Sequence, residues 1–300
     1  MVSELVLFQV ATFSALIGMT LGWRGVMTKY SGFYDLPTAW SQIFWGIIIG
    51  MFYATSCDSS LFIPYIEFVN NGDGAKIPHP ITLLLLALLL SVAVHLLLRR
   101  ERVRKGGSHP TSGWALGLAI GGMTAMVLIF RYIFIVDGVF SLKALLTVAA
   151  LAILTPRCEA IITAHQGFMM LNGRRWGAVI RSTAWRIALL TTVYYSIFDP
   201  IGWLFIATVM MIVDSKIEDW VWASIPKPAR RRLRRIWASN EREKRSSDSL
   251  SEEEKKEKSN PSTIVQNITY NTTNIQDSAI VGDLNTNINP NIIQNYGEDE

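Results

Sequence analysis

The residues of this chain that could do chemistry inside a membrane are few and widely spaced. Arg131 lies within a long apolar stretch, and Asp137 and Asp199 lie close to the ends of two such stretches. Ionisable groups at membrane depth are costly and often mark a ligand or ion pathway. We therefore predict a ligand or ion-pair site in which Arg131 pairs with Asp137 or Asp199. The alternative is that Arg131 extends its guanidinium to the lipid phosphates.

Glu159 and His165 are the residues on which an enzymatic function would depend. They are six positions apart, which is about 240° around a helix, so they do not share a helix face. The sequence has two cysteines and contains no HExxH, no CxxC, no GxxxxGK loop and no Gly-rich dinucleotide fingerprint. We therefore predict no catalytic residue, no bound metal and no cofactor.

The composition indicates a membrane protein followed by a polar tail. The chain has 300 residues, of which 50% are hydrophobic and 17% are charged, and its mean hydropathy is +0.28. Soluble domains carry about 25% charged residues. Glu4 precedes the first apolar run and no basic residue does, which is unlike a secretory signal. We expect the first run to be a retained membrane span.

Apolar runs long enough for membrane helices recur along the first two thirds of the chain. A helix that crosses a bilayer needs about 20 apolar residues. The fold class that we predict is an all-α polytopic membrane protein of about seven transmembrane helices, with a mostly disordered C-terminal tail that could form short β-strands. The predicted spans are 4–22, 38–56, 81–98, 113–136, 139–155, 181–198 and 200–215.

The distribution of basic residues predicts the orientation of these spans. Basic connections follow spans one, three and five, whereas the connection after span two carries Asp58, Glu67 and Asp73 with a single Lys76. Because basic loops stay on the cytoplasmic side, the N-terminus is expected outside and the C-terminus in the cytoplasm of a cell (inner or plasma) membrane. This alternation requires FDPIGW, at 198–203, to be an outer turn. The alternative is a kink in one helix, which gives six spans.

Small residues at four-residue intervals predict close contacts between the helices. Membrane helices associate through tight packing, which glycine permits. We favour packing within the chain over a homodimer. The glycines predicted to form these contacts are Gly18, Gly22, Gly46, Gly50, Gly113, Gly117 and Gly121.

The boundaries that we predict are a helical bundle at 1–215, a basic juxtamembrane segment at 216–245, a disordered charged spacer at 246–263 and an Asn-rich tail at 264–300. The basic segment should contact the bilayer and its anionic head groups, at about 1 kcal/mol per basic residue. An anchor that only sets the topology is the simpler alternative, and we do not expect nucleic-acid binding. The head-group contacts are expected from Arg230, Arg231, Arg232, Arg234 and Arg235.

The Asn-rich tail carries a local pattern of its own. Apolar and polar residues partly alternate in NITYNTTNIQDSAIVGD, as they do in short strands. This stretch resembles the Asn-rich "NIxDSxxxGD" tail that is appended to otherwise unrelated prokaryotic, notably archaeal, membrane and zinc-ribbon proteins. The resemblance implies a small β-rich oligomerisation or display segment and covers none of the bundle. A disordered tail is the alternative.

These observations favour a non-enzymatic function. We predict a membrane scaffold or sensor that presents its cytoplasmic tail for self-assembly, as a homo-oligomer, or for partner binding. The alternative is a small-molecule or ion transporter or channel with a pathway near Arg131. The third hypothesis is an intramembrane enzyme that uses Glu159 and His165.

Overall fold

The computed structural model of the chain describes residues 3–70, 79–135, 141–197, 199 and 201–259. Within these ranges every regular element is helical and there is no strand, so the all-α class is confirmed. Asp137 and the Asn-rich tail at 264–300 lie outside the described residues, and the predictions made for them stay predictions.

Eleven α-helices run through the described residues. A short 3₁₀ helix, Thr28–Tyr30, follows the first of them, and one π-helical turn, Asp58–Phe62, joins the second to the third. The helices are α1 Glu4–Val26, α2 Leu36–Cys57, α3 Ile63–Asn70, α4 Pro80–Leu98, α5 Glu101–Gly106, α6 His109–Ile135, α7 Leu142–Leu171, α8 Arg175–Ser196, α9 Ile201–Asp214, α10 Ile217–Ser224 and α11 Lys227–Ser259.

Local sequence explains where several of these helices begin and end. The Oγ of Ser141 accepts a hydrogen bond from the Ala144 backbone N–H (3.1 Å), and Asp35 caps α2 in the same way. Such caps satisfy N–H groups that have no partner within the helix. Gly107 (φ 60°) ends α5 and Gly173 (φ 78°) separates α7 from α8, both in the left-handed conformation that glycine adopts without strain.

Among the described residues, five helical segments are long and apolar enough to cross a membrane, so five of the seven predicted spans meet this criterion. α8 does not qualify, because Arg181 and Arg186 lower its hydropathy. α9 has only 14 residues, about 21 Å of helix against a hydrocarbon core of about 30 Å. The five segments are Glu4–Tyr30, Leu36–Glu67, Pro80–Leu98, His109–Ile135 and Leu142–Leu171.

α6 is the central helix and packs against α7, α2 and α1. It runs antiparallel to α7, since Gly113 lies against Thr163 while Gly121 lies against Pro156. It runs antiparallel to α1 as well, since Phe8 contacts Phe130. The C-terminal ends of α1 and α7 and the N-terminal end of α6 therefore lie at the same end of the bundle.

Basic residues collect at that end, which we call the basic end. Arg24 lies near the C-terminus of α1, and Arg174 and Arg175 follow α7. Arg100, just after α4, stacks over the ring of Trp45 near the start of α2, with 4.3 Å between the guanidinium carbon and the ring centroid. The basic connections that the sequence shows thus meet on one side of the fold.

The seven glycines predicted to form helix contacts all lie at close helix–helix approaches. A Cβ at Gly117 would lie 2.6 Å from the Ala160 Cα, and one at Gly46 would lie 2.7 Å from the Leu116 carbonyl oxygen. Gly18 lies directly against the carbonyl oxygen of Ala152. Because residue 156 is a proline and has no N–H, that carbonyl lacks its usual helical partner, and the Gly18 backbone covers it.

α8 and α9 are separate helices that lie side by side. α8 ends at Ser196, and the Asp199 carboxylate accepts a hydrogen bond from the Ile201 N–H (3.0 Å) at the start of α9. Residues near the start of α8 and just after the end of α9, Arg181 and Lys216, line the same groove. The two helices are therefore antiparallel, as a turn within 198–203 requires.

The chain divides into two compact units, residues 1–237 and 238–300. α11 begins in the first unit, where Leu233 is buried and the ring of Trp237 stacks on Trp222 (5.6 Å between centroids). The helix continues to Ser259 in the second unit. Residues 246–259 of the predicted spacer belong to this helix, and the stretch is rich in Glu and Lys, which are strong helix formers.

Candidate functional site

The most unusual feature of the bundle is an ion pair that is buried between α7 and α8. The side chain of Arg186 is 0% exposed and that of Glu159 is 5% exposed. The Arg186 Nε donates to the Glu159 Oε1 at 2.7 Å, and Nη2 lies 2.6 Å from the same oxygen. Arg186 is the twelfth of 22 residues in α8, so the pair lies deep in the bundle rather than at its surface.

Three polar side chains complete the coordination of Arg186. Nη1 donates to the Ser91 Oγ (2.8 Å) and to the Gln166 Oε1 (3.2 Å), and Nη2 donates to the Thr163 Oγ1 (2.9 Å). Gln166 in turn donates through Nε2 to the Ser91 carbonyl oxygen at 2.8 Å. We call these five residues, Ser91, Glu159, Thr163, Gln166 and Arg186, the polar network.

The polar network connects α4, α7 and α8 in a region that is otherwise apolar. Two isolated buried charges would be strongly unfavourable, and their attraction offsets that cost only when the remaining donors and acceptors are also satisfied. Every nitrogen of the Arg186 guanidinium has a partner here. The network can therefore hold three helices in one arrangement, and it can hold a charge at membrane depth without contact with lipid.

A small cavity of about 20 Å³ adjoins Glu159. Tyr53, Thr124 and Thr155 line it together with apolar side chains. The Oγ1 of Thr155 is buried and has no hydrogen-bond partner among the described residues. A volume of this size is enough for about one water molecule, and a polar wall is what a water requires.

Glu159 and His165 are not brought together, although both belong to α7. His165 lines a larger groove between α7, α8 and α9, and its ring lies 4.9 Å from that of Trp220. Glu159 lines the small cavity instead. Their separation follows from their six-residue spacing on one helix.

Arg131 pairs with Asp58 and not with Asp199, while Asp137, the other predicted partner, lies outside the described residues. Its Nη2 and Nε donate to Asp58 oxygens at 2.6 and 3.1 Å, which joins α6 to the π-helical turn after α2. Asp199 is exposed and caps α9 instead. The prediction of a partner on the sixth span was wrong for Asp199, because Asp58 is part of a continuous helical segment and not of a loop.

The arginines predicted to bind lipid head groups fall into two groups. Arg230 donates to the carbonyl oxygens of Ile225 (2.7 Å) and Ala223 (3.0 Å), so it fixes the corner between α10 and α11. The other four are exposed, and one of them, Arg234, lies with its guanidinium carbon 5.3 Å from the ring centroid of Trp222. They are Arg231, Arg232, Arg234 and Arg235.

Sequence reasoning missed Arg186, although it falls inside the predicted span 181–198. A recognisable signal was present on α7. Glu159, Thr163 and Gln166 follow one another at intervals of four and three residues, which places all three on one helix face. A polar stripe of this kind indicates a polar partner on a neighbouring helix.

No group of three or more potential metal ligands occurs among the residues that the structure describes. The chain matches no protein-family model, and no curated protein or solved structure is significantly similar to it. The class is therefore defined by the fold alone. The described part of the chain has the features of an α-helical membrane protein: it contains five membrane-length apolar helices, and the buried polar network joins two of them, α4 and α7, to α8.

Proposed function

We propose that this chain is a non-enzymatic, multi-pass membrane scaffold that anchors a long C-terminal helix and presents it, with the tail that follows, for self-assembly or partner binding. The observation that carries the proposal is the attachment of α11. Leu233 is buried in the first unit, Trp237 contacts Tyr30 and Trp222, and the helix then continues to Ser259. A helix fixed at its start in this way suits presentation.

The polar network supports the same proposal. Its charges are paired with each other, and the central helix α6 is buried along most of its length. A bundle of this kind is a rigid base, whereas a transport pathway needs polar groups that a substrate can reach.

The proposed topology has seven spans, with α8 and α9 as the sixth and seventh, and the N-terminus outside. The basic end would face the cytoplasm, as the distribution of lysine and arginine favours. The exposed arginines of α11 would then lie at the cytoplasmic head groups. Protease treatment of sealed vesicles tests this: residues 240–300 should be protected in right-side-out vesicles and cleaved in inverted ones. Cleavage in right-side-out vesicles would contradict the proposed side of the tail.

Truncation tests the scaffold itself. Removal of residues 261–300 should abolish self-association, measured by light scattering of the purified protein in detergent, and leave the thermal unfolding of the bundle unchanged. The matched control carries a scrambled sequence of the same composition at 261–300. Equal self-association of the truncated and intact chains would contradict assembly through the tail.

A transporter or channel remains a second candidate because ionisable groups at membrane depth often mark ion pathways. The geometry favours Glu159, beside the small cavity, over Arg131 as its central residue. Proton or cation flux into dye-loaded proteoliposomes should then be present in the intact protein and absent in Glu159→Gln. Absence of flux with both proteins, under conditions in which the scaffold self-associates, favours the scaffold.

A further inference from the structure

An open groove of about 550 Å³ runs between α7, α8 and α9, and it is not part of the polar network. Its walls are mostly aliphatic and aromatic, and several of the side chains that form them are exposed, among them Trp185 (44%) and Phe205 (61%). The volume lies within the range of about 300–1,000 Å³ that is typical of ligand sites. An apolar groove of this size is suited to an apolar chain.

The basic groups of the groove are at one end. Arg181 and Lys216 are each close enough to His165 to interact with it electrostatically. None of the sixteen described residues that line the groove is acidic. The nearest acidic residue along α9, Asp214, is engaged by Arg157, whose Nη2 lies 2.7 Å from both of its carboxylate oxygens. Of the two acidic residues that follow Lys216, Glu218 pairs with Lys29 (2.6 Å) and Asp219 is not part of the lining. The residues that line the mouth therefore carry net positive charge.

The length of the groove corresponds to one leaflet of a bilayer. Arg181 marks the charged end and Thr192 the opposite end on the same helix, eleven residues further on. At 1.5 Å per residue this is about 16 Å, close to half of a hydrocarbon core of about 30 Å. Arg181 is the seventh residue of α8, so the charged mouth opens toward the basic end of the bundle and the apolar part of the groove extends away from it.

We propose that the groove binds one anionic phospholipid, with an acyl chain along α8 and α9 and the phosphate at Arg181 and Lys216. Basic pockets between membrane helices on the cytoplasmic side bind anionic head groups by the same physical means. An apolar groove with two cations at one end matches both parts of an anionic lipid, its acyl chain and its phosphate, and this favours a lipid as the occupant. The inference does not depend on the scaffold proposal.

Native mass spectrometry of the full-length protein tests the site. The protein is exchanged from detergent into mixed phosphatidylglycerol and phosphatidylcholine micelles, and the lipids that stay bound are counted. We expect one phosphatidylglycerol per chain to be retained in preference to phosphatidylcholine. The double variant Arg181→Gln/Lys216→Gln should bind it about thirty-fold more weakly, because each basic residue near a head group contributes several-fold.

Two further variants distinguish this site from general attraction to a basic protein. Arg102→Gln/Arg104→Gln removes the same charge from exposed positions on α5 and should keep the lipid. Ala188 is exposed in the wall of the groove, so Ala188→Phe places a large side chain in the space that the acyl chain would occupy. This variant leaves both cations in place and should release the lipid. Equal retention of the two lipids, equal loss in both charge variants, or full retention in Ala188→Phe would each overturn the proposal. So would a dimer that forms in place of the lipid complex.

Discussion

The two sides of α7 pack in opposite ways. On one side α7 meets α6 and α1 through glycines, with backbone against backbone: Cβ atoms added at Gly113 and Gly117 would lie 2.6 Å from α7 backbone atoms. On the other side α7 faces α8 and α9 across the groove, which is lined by large, partly exposed side chains such as Trp185 and Phe205. We call these the closed side and the open side.

This difference shows how one helix can be both a structural element and a binding wall. Lipid tails are as apolar as leucine, so membrane helices gain little from burying apolar surface against each other and depend on close packing. Glycine permits that packing on the closed side. On the open side no described helix packs closely enough to fill the space, and charged residues can remain at its mouth. The polar network lies at the boundary and fixes the position of α8.

The largest loss of stability is expected from breaking the buried ion pair between Arg186 and Glu159. Arg186→Gln should destabilise the bundle by about 3–5 kcal/mol, because it leaves the Glu159 carboxylate buried without its partner. Thermal unfolding of the purified protein in detergent would measure the loss. Arg181→Gln is the matched control, since Arg181 is exposed on the same helix, and it should change stability little. The double variant Glu159→Gln/Arg186→Gln should lose less than the sum of the two single variants. Equal stability of Arg186→Gln and Arg181→Gln would contradict the role of the pair.

A glycine-to-alanine substitution should have different effects at the close contact between α6 and α7 and at the loosely packed start of α8. Gly117→Ala should cost about 1–3 kcal/mol, because the new Cβ meets the α7 backbone. Gly177→Ala, near the start of α8, meets only the flexible end of the Met169 side chain at 3.4 Å and should be neutral or stabilising by up to about 1 kcal/mol. Chemical unfolding of both variants would measure the difference. A stabilised Gly117→Ala would mean that α6 and α7 can move apart without cost.

A smaller loss of stability is expected from breaking the ion pair between Arg157 on α7 and Asp214 on α9. Asp214→Asn weakens the ion pair that joins α9 to Arg157. The side chain of Asp214 is 35% exposed and that of Arg157 is 21% exposed. Because water screens such a pair, we expect a loss of only about 1 kcal/mol. Glu241→Gln, which breaks the exposed pair with Arg245, is the control and should have no measurable effect. Hydrogen exchange should also become faster in α9 alone. Unchanged exchange in α9 would show that Arg157 does not hold this helix.

Glycine spacing and apolar runs made much of the closed side predictable. Repeats of four residues place small side chains on one helix face, and these are the positions at which α6 meets α7. The open side was harder to read, because Arg186 and Arg181 lower the hydropathy of α8 and because α9 is short. Hydropathy and helix length do not show which face of a helix packs against other helices, because tertiary contacts determine that face.

The ion pairs could be predicted only in part. Arg131 was predicted to be a charged residue inside an apolar run. Its partner could not be predicted, because that depends on whether the chain stays helical beyond the end of α2, at Asp58. Asp58 reads as the start of a polar loop, DSS, in the sequence. In the fold the helical segment passes through this stretch without a break, so its carboxylate is carried to Arg131.

The π-helical turn at Asp58–Phe62 determines the rotation of the helix that follows it. The buried face of α2 repeats every four residues, which drifts by about 40° per step around a regular helix. The wider turn takes up part of this drift, and Tyr65 beyond it stacks on Tyr194 with 3.9 Å between ring centroids. Deletion of the exposed Ser60 would rotate α3 by about 100° and move Tyr65 away from that ring, while α2 stayed in place. This turn therefore acts as a phase adjustment, by which the gain or loss of a single residue changes what α3 touches and leaves the rest of the bundle in register.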